Sequence, residues 1–169
     1  MTTGSPVLTG ADFTGADYLE FGTNAGTNGL LTMSTGSVSA TNMIVGNAGN
    51  GTVNMSGGTI DVSVLYLANQ AGSTGTFNLS GGTVSVWGMS FNQGNAGHLT
   101  LSGSGKLVYQ GGDLTTVNTW ISQGKITGQA AQVGNNIEIS VVPEPVSLSL
   151  LGLGALPFLL RRRRSLSPS

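Results

Sequence analysis

Two stretches decide the fold. Residues 53–67 read Val53-Asn54-Met55-Ser56-Gly57-Gly58-Thr59-Ile60-Asp61-Val62-Ser63-Val64-Leu65-Tyr66-Leu67. Residues 77–91 read Phe77-Asn78-Leu79-Ser80-Gly81-Gly82-Thr83-Val84-Ser85-Val86-Trp87-Gly88-Met89-Ser90-Phe91. Each is a chain of apolar-x-apolar triplets broken by a Ser-Gly-Gly-Thr turn. Working outward, the same grammar recurs four times between Tyr18 and Tyr109. First triplets are Leu19-Glu20-Phe21, Met43-Ile44-Val45, Leu65-Tyr66-Leu67 and Met89-Ser90-Phe91; a Gly/Asn/Ala corner follows each. Second triplets are Leu31-Thr32-Met33, Val53-Asn54-Met55, Phe77-Asn78-Leu79 and Leu99-Thr100-Leu101, each followed by a serine. Third triplets are Val38-Ser39-Ala40, Ile60-Asp61-Val62 and Val84-Ser85-Val86, with Leu107-Val108-Tyr109 one residue late. The serines (Ser34, Ser56, Ser80, Ser102) are spaced 22, 24 and 22 residues apart.

A triplet in period 2 sends its first and third residues to one face. Three short strands joined by Gly-rich corners and reset every 22–24 residues describe one coil of a triangular β-solenoid. A triplet cannot bury its apolar face alone, but coils stacked about 4.8 Å apart build a continuous core. Glycine serves the corners because the backbone turns there at positive φ, and the crossover rule predicts right-handed winding. The competing arrangement, an antiparallel sandwich, has no reason to reset at this period. The expected fold is therefore all-β: a right-handed parallel β-solenoid of about four three-strand coils over 18–110. Residues 1–17 are expected to be the remnant of an earlier coil, carried by Val7, Leu8 and Phe13, or an N-terminal lead-in. The repeats also resemble the Gly/Ser-rich strand repeats of autotransporter passenger domains.

Composition agrees. Gly, Ser, Thr and Asn fill 79 of 169 positions, charged residues are 8%, Cys is absent and His98 is the single histidine. These values exclude a disulfide scaffold, a Cys-based metal site and a coiled coil, and they lack the charge signature of disorder. The net charge of −1 hides an asymmetry, because four of six basic residues are Arg161, Arg162, Arg163 and Arg164. Residues 1–160 hold two lysines against seven acids, a charge of −5. A mildly acidic body with a basic stub is not the basic face that nucleic acid requires.

Past the repeats, over 111–141, Asp113 is a natural N-cap, Leu114, Val117 and Ile121 share a helical face beside Trp120, and Gly124 ends the pattern. We expect a short helix over 114–123 covering the open solenoid end, with Ile126 leading out and a last strand over 137–141. Met1-Thr2-Thr3-Gly4-Ser5-Pro6 has neither the charged start nor the apolar run of a signal peptide. The expectation drawn from this is a C-terminal part of a longer exported protein, or a late start; the upstream reading frame decides it.

Residues 142–169 follow other rules. Pro143-Glu144-Pro145 precedes an uncharged apolar stretch of 15 residues, 146–160, and then Arg161 to Arg164. As a helix that stretch spans roughly 22 Å, short of the roughly 30 Å hydrocarbon core. Arginine snorkelling and local thinning make up the difference. Arginines directly after the span mark the cytoplasmic side and leave the repeats outside that membrane. The block resembles the PEP-CTERM sorting signal: a Pro-Glu-Pro motif, a short transmembrane helix and a terminal arginine cluster. Pro157 inside the span and five residues after Arg164 are departures. The resemblance implies a substrate of an exosortase, a membrane-embedded cysteine transpeptidase-like enzyme that recognises the motif, removes the helix and releases or attaches the protein at the surface. Such substrates are typical of Gram-negative bacteria that make exopolysaccharide. A plain C-terminal membrane anchor accounts for the helix and arginines but not for Pro-Glu-Pro.

Chemistry in the body is sparse. Glycoside hydrolysis needs a carboxylate pair, and the coils hold only Glu20 and Asp61, in different triplets. His98 has no Cys or His partner, the corner 46–51 lacks the lysine and helix of a phosphate loop, and the Gly-rich corners lack the aspartates of calcium repeats. No catalytic residue, metal or cofactor is expected. Thr32, Asn54, Asn78 and Thr100 sit mid-triplet in successive coils and form a flat polar row that offers a carbohydrate- or matrix-contacting face. Asn50, Asn54 and Asn78 also fit the glycosylation pattern, which the repeat itself generates. The reading is an exported, non-enzymatic structural or adhesive protein of the surface or exopolysaccharide matrix, anchored in the inner membrane before processing. Its expected partners are the exosortase, exopolysaccharide and the membrane, with no nucleic acid. The alternative is the C-terminal part of a polysaccharide-acting β-helix enzyme with its catalytic coils upstream.

Overall fold

A computed structural model describes residues 7–8, 12–91 and 96–141. Its strands are β1 (Val7–Leu8), β2 (Asp12–Phe21), β3 (Asn28–Met33), β4 (Ser37–Val45), β5 (Asn50–Leu67), β6 (Thr74–Phe91), β7 (Gly97–Leu101) and β8 (Lys106–Gln110). Helix α1 (Leu114–Ser122) follows, then β9 (Ile126–Thr127), β10 (Gln129–Val133) and β11 (Asn136–Ser140). The triplets stack in parallel with like residues over like, as a β-solenoid requires. Leu31 pairs with Val53, Val53 with Phe77, Phe77 with Leu99 and Leu99 with Ile126. In the third stack Val38 pairs with Ile60, Ile60 with Val84 and Val84 with Leu107.

The solenoid has about five turns rather than four. Val7, Leu8 and Phe13 belong to the earlier coil, whereas β9 and β11 lack the triplet-serine grammar, which is why counting units misses them. At the start, β1 pairs in parallel with β3 and β2 with β4. At the far end β9 continues the second stack on β7. Strand β11 continues the third stack on β8, but antiparallel, because Gly134-Asn135 turns β10 back onto β11 as a two-residue hairpin. In the middle coils the three triplets are not separate strands. Extended backbone runs through both corners of β5 and β6, and the ladder between them shifts only beside Ser56.

Inward residues form the core. Phe77, Leu79, Val84, Val86, Leu65 and Leu67 have no solvent exposure. Each buries enough apolar surface to contribute about 1.5–3 kcal/mol before entropy is counted. In the two middle coils the serine after the second triplet locks its coil to the one before it. Ser80 Oγ donates to Met55 O at 3.1 Å and Ser56 Oγ to Met33 O at 3.4 Å. The long corner has no room for side chains at its glycine column, Gly29, Gly51, Gly75 and Gly97. A Cβ on Gly75 would strike two backbone atoms, Val45 O of the coil beneath and Ala68 N of its own corner.

The end cap is built as the sequence suggests. Asp113 accepts from Thr116 N at 2.8 Å as N-cap, and Val117 is fully buried. Leu114, Trp120 and Ile121 pack against the core. Trp120 lies against Phe91 and Tyr109, with ring centroids 5.3 and 6.0 Å apart. The Lys125 ammonium stands 5.9 Å from the Phe91 ring centroid. Gly124, at φ +71°, follows the helix and donates to Ile121 O. Among the described residues no helix is long and apolar enough to cross a membrane. The span expected over 146–160 lies outside the described residues.

Candidate functional site

The outer face of the second stack is where the polar row was expected, and the ladder places its members in one column. Thr32 pairs with Asn54, Asn54 with Asn78, Asn78 with Thr100 and Thr100 with Thr127. Thr32, Asn54 and Asn78 are half-buried and Thr100 is exposed. Asn78 Nδ2 donates to Asn54 Oδ1 at 2.8 Å, so the two central amides are bonded to each other. The neighbouring columns do the same. Asn50 Nδ2 donates to Asn28 Oδ1 at 2.9 Å, and Thr74 Oγ1 donates to Asn50 Oδ1 at 2.7 Å. At the long corner Asn47 Nδ2 donates to Glu20 Oε2 at 3.1 Å, and Asn69 Nδ2 to Asn47 Oδ1 at 2.9 Å. Asparagine at a Gly-rich corner is expected to ladder with the adjacent coil, and Asn at positions 28, 47, 50 and 69, at 22-residue offsets, is the signal for it in the sequence.

The remaining sequence candidates are dispersed. Glu20 belongs to the first stack and Asp61 to the third, so the two carboxylates share no face. His98 is an exposed residue of β7, its Nδ1 3.3 Å from Gly124 O. In the corner 46–51 the amides of Asn47, Ala48 and Gly49 all converge on Gly22 O. Those donors are spent on the coil below, so the corner offers no nest for an anion. Among the described residues no group of three or more His, Cys, Asp or Glu is placed to hold a metal ion. Pro143, Glu144, Pro145 and Arg161 to Arg164 lie outside the described residues.

One feature the sequence reading missed is a groove on the third stack. The ladder between β2 and β4 shifts between Phe13 and Ala16, where Gly15 adopts φ +83°. The bulge leaves an open pocket of about 330 Å³ beside Asp17, Ser39, Thr41 and Ser63. An isolated glycine inside a strand pattern was the available signal. No protein-family model matches this chain, and no curated protein or solved structure matches it either.

Proposed function

We propose that this chain is an exported structural or adhesive protein of the cell surface or exopolysaccharide matrix, sorted by an exosortase through its C-terminal tail. One observation carries the reading. Pro143-Glu144-Pro145, an uncharged 15-residue apolar stretch and Arg161 to Arg164 follow one another in that order. Each has a physical task. Proline's ring fixes φ on both sides of Glu144, which makes the motif a stiff feature for a processing enzyme to recognise. The apolar stretch holds the precursor in the inner membrane, and the arginines orient it with the repeats outside. The body suits a passive role: a right-handed solenoid whose asparagines ladder from coil to coil at the long corner and at Asn54 and Asn78. Its partners are the exosortase during processing and exopolysaccharide afterwards.

The test is fractionation of the full chain, fused behind a secretory leader and expressed in a host that carries an exosortase. The wild type reaches the surface, whereas Glu144→Ala or loss of the Pro143 and Pro145 rings holds it in the inner membrane. Equal surface delivery of all variants contradicts the reading. A plain membrane anchor is the second reading, favoured by the apolar stretch and arginines alone. It requires that deleting the exosortase gene change nothing.

A further inference from the structure

We propose that the groove beside the β2 bulge is a binding site for neutral saccharide. The solenoid's columns differ in how their polar side chains are satisfied. At the long corner and at the centre of the second stack, asparagine side chains bond their neighbours across coils, as Asn47 and Asn69 or Asn54 and Asn78 do. On the third stack, Ser37 Oγ likewise donates to Asp12 Oδ1 at 2.7 Å. Yet the Asp17 carboxylate and the Ser39, Thr41 and Ser63 hydroxyls make no hydrogen bond to the described protein, and all four are exposed. They lie beside the ladder shift between Phe13 and Ala16, at Gly15.

The same column ends in an aromatic ring. Ala16, Ala40, Val62 and Val86 pair in sequence, as do Tyr18, Asn42, Val64 and Gly88. The residues between them, Asp17, Thr41, Ser63 and Trp87, therefore follow one another along the solenoid axis. At about 4.8 Å per coil this column runs roughly 14 Å. Trp87 is 62% exposed, a large apolar side chain left open to solvent. A carboxylate, hydroxyls and a bare indole in one line match the surface of a pyranose chain. Vicinal hydroxyls donate to the carboxylate, the Ser and Thr hydroxyls act as donor or acceptor, and the apolar C–H face of the ring packs on the indole. The acidic charge of residues 1–160, with Asp12, Asp17 and Asp61 on or beside this stack, disfavours an anionic chain.

The site deepens the matrix reading by naming its ligand class, and it rests on that reading for its biological setting. Its test is made on the purified full chain, so a failure of sorting in cells and a failure of binding in solution remain distinct. The probes are cellotetraose and mannotetraose, with an alginate tetrasaccharide as the anionic counterpart. Calorimetry and tryptophan fluorescence are the readouts. A neutral tetrasaccharide is expected to bind and to shield Trp87 from acrylamide quenching. Trp87→Ala weakens binding by about tenfold, consistent with losing one stacking platform. Asp17→Asn weakens it by about threefold, in line with loss of a charge-assisted bond. The double variant Asn54→Lys and Asn78→Lys leaves it unchanged. Circular dichroism confirms that each variant keeps the wild-type fold. Absence of binding by both neutral probes, binding that survives Trp87→Ala, or tighter binding of the alginate fragment overturns the proposal.

Discussion

Asn78 donates from Nδ2 to Asn54 Oδ1 at 2.8 Å, joining adjacent coils on the solvent-facing side of the second stack. The bond shows what the repeat selects for. A mid-triplet side chain must be polar because it faces out, and short because its neighbour stands one coil away. It must also both donate and accept, because it has partners above and below. Asparagine meets all three demands. Replacing both residues by aspartate puts two carboxylates at ladder spacing and removes the bond. We expect a loss of about 1–2 kcal/mol by urea denaturation at neutral pH, partly recovered in acid as one carboxylate takes up a proton.

Phe77 is fully buried at the centre of its column, between Val53 and Leu99. Phe77→Ala is expected to cost about 3–5 kcal/mol, since neighbouring coils are tied by their ladders and cannot collapse into the void. Trp87→Ala, on the outer surface, is expected within about 0.5 kcal/mol of wild type. The pair of urea midpoints tests the inward and outward assignments together.

Gly75→Ala probes the long corner. Its Cβ would meet backbone of the coil below rather than a side chain that can swing aside. We expect a loss of about 1–3 kcal/mol, as for overpacked cores, read as a lower thermal midpoint with unchanged strand content.

The cap titrates. The bond from the Thr116 amide, with a second from the Thr116 hydroxyl, holds the Asp113 carboxyl below its ordinary value of 3.8. A depressed folded-state pKa stabilises the cap fully above the unfolded-state value, and that support is lost as pH falls through the folded value. Hydrogen exchange in α1 should therefore quicken as pH falls below the ordinary carboxylate range, after correction for the intrinsic rate. In Asp113→Asn, which keeps the cap acceptor without the charge, that extra acceleration should vanish.

Most of the fold was legible because the triplets, their serines and their glycine corners each answer a local demand that repeats. The helix was legible for the same reason: Asp113 and the spacing of Leu114, Val117 and Ile121 are short-range signals. Strand β10 and the reversed direction of β11 were not, since Gln129-Ala130-Ala131-Gln132-Val133 has little apolar alternation and its pairing is set by the hairpin that follows. The groove was hidden for a different reason. Asp17, Thr41, Ser63 and Trp87 share no motif in sequence; only the stacking of four coils brings them into line.

The central claim concerns the tail, and the mass of the surface-recovered protein tests it most directly. If an exosortase processes the chain, the mature C-terminus lies at or near Pro143-Glu144-Pro145 and no peptide containing Arg161 to Arg164 is found. An intact mass extending through Ser169 on the surface protein would contradict it.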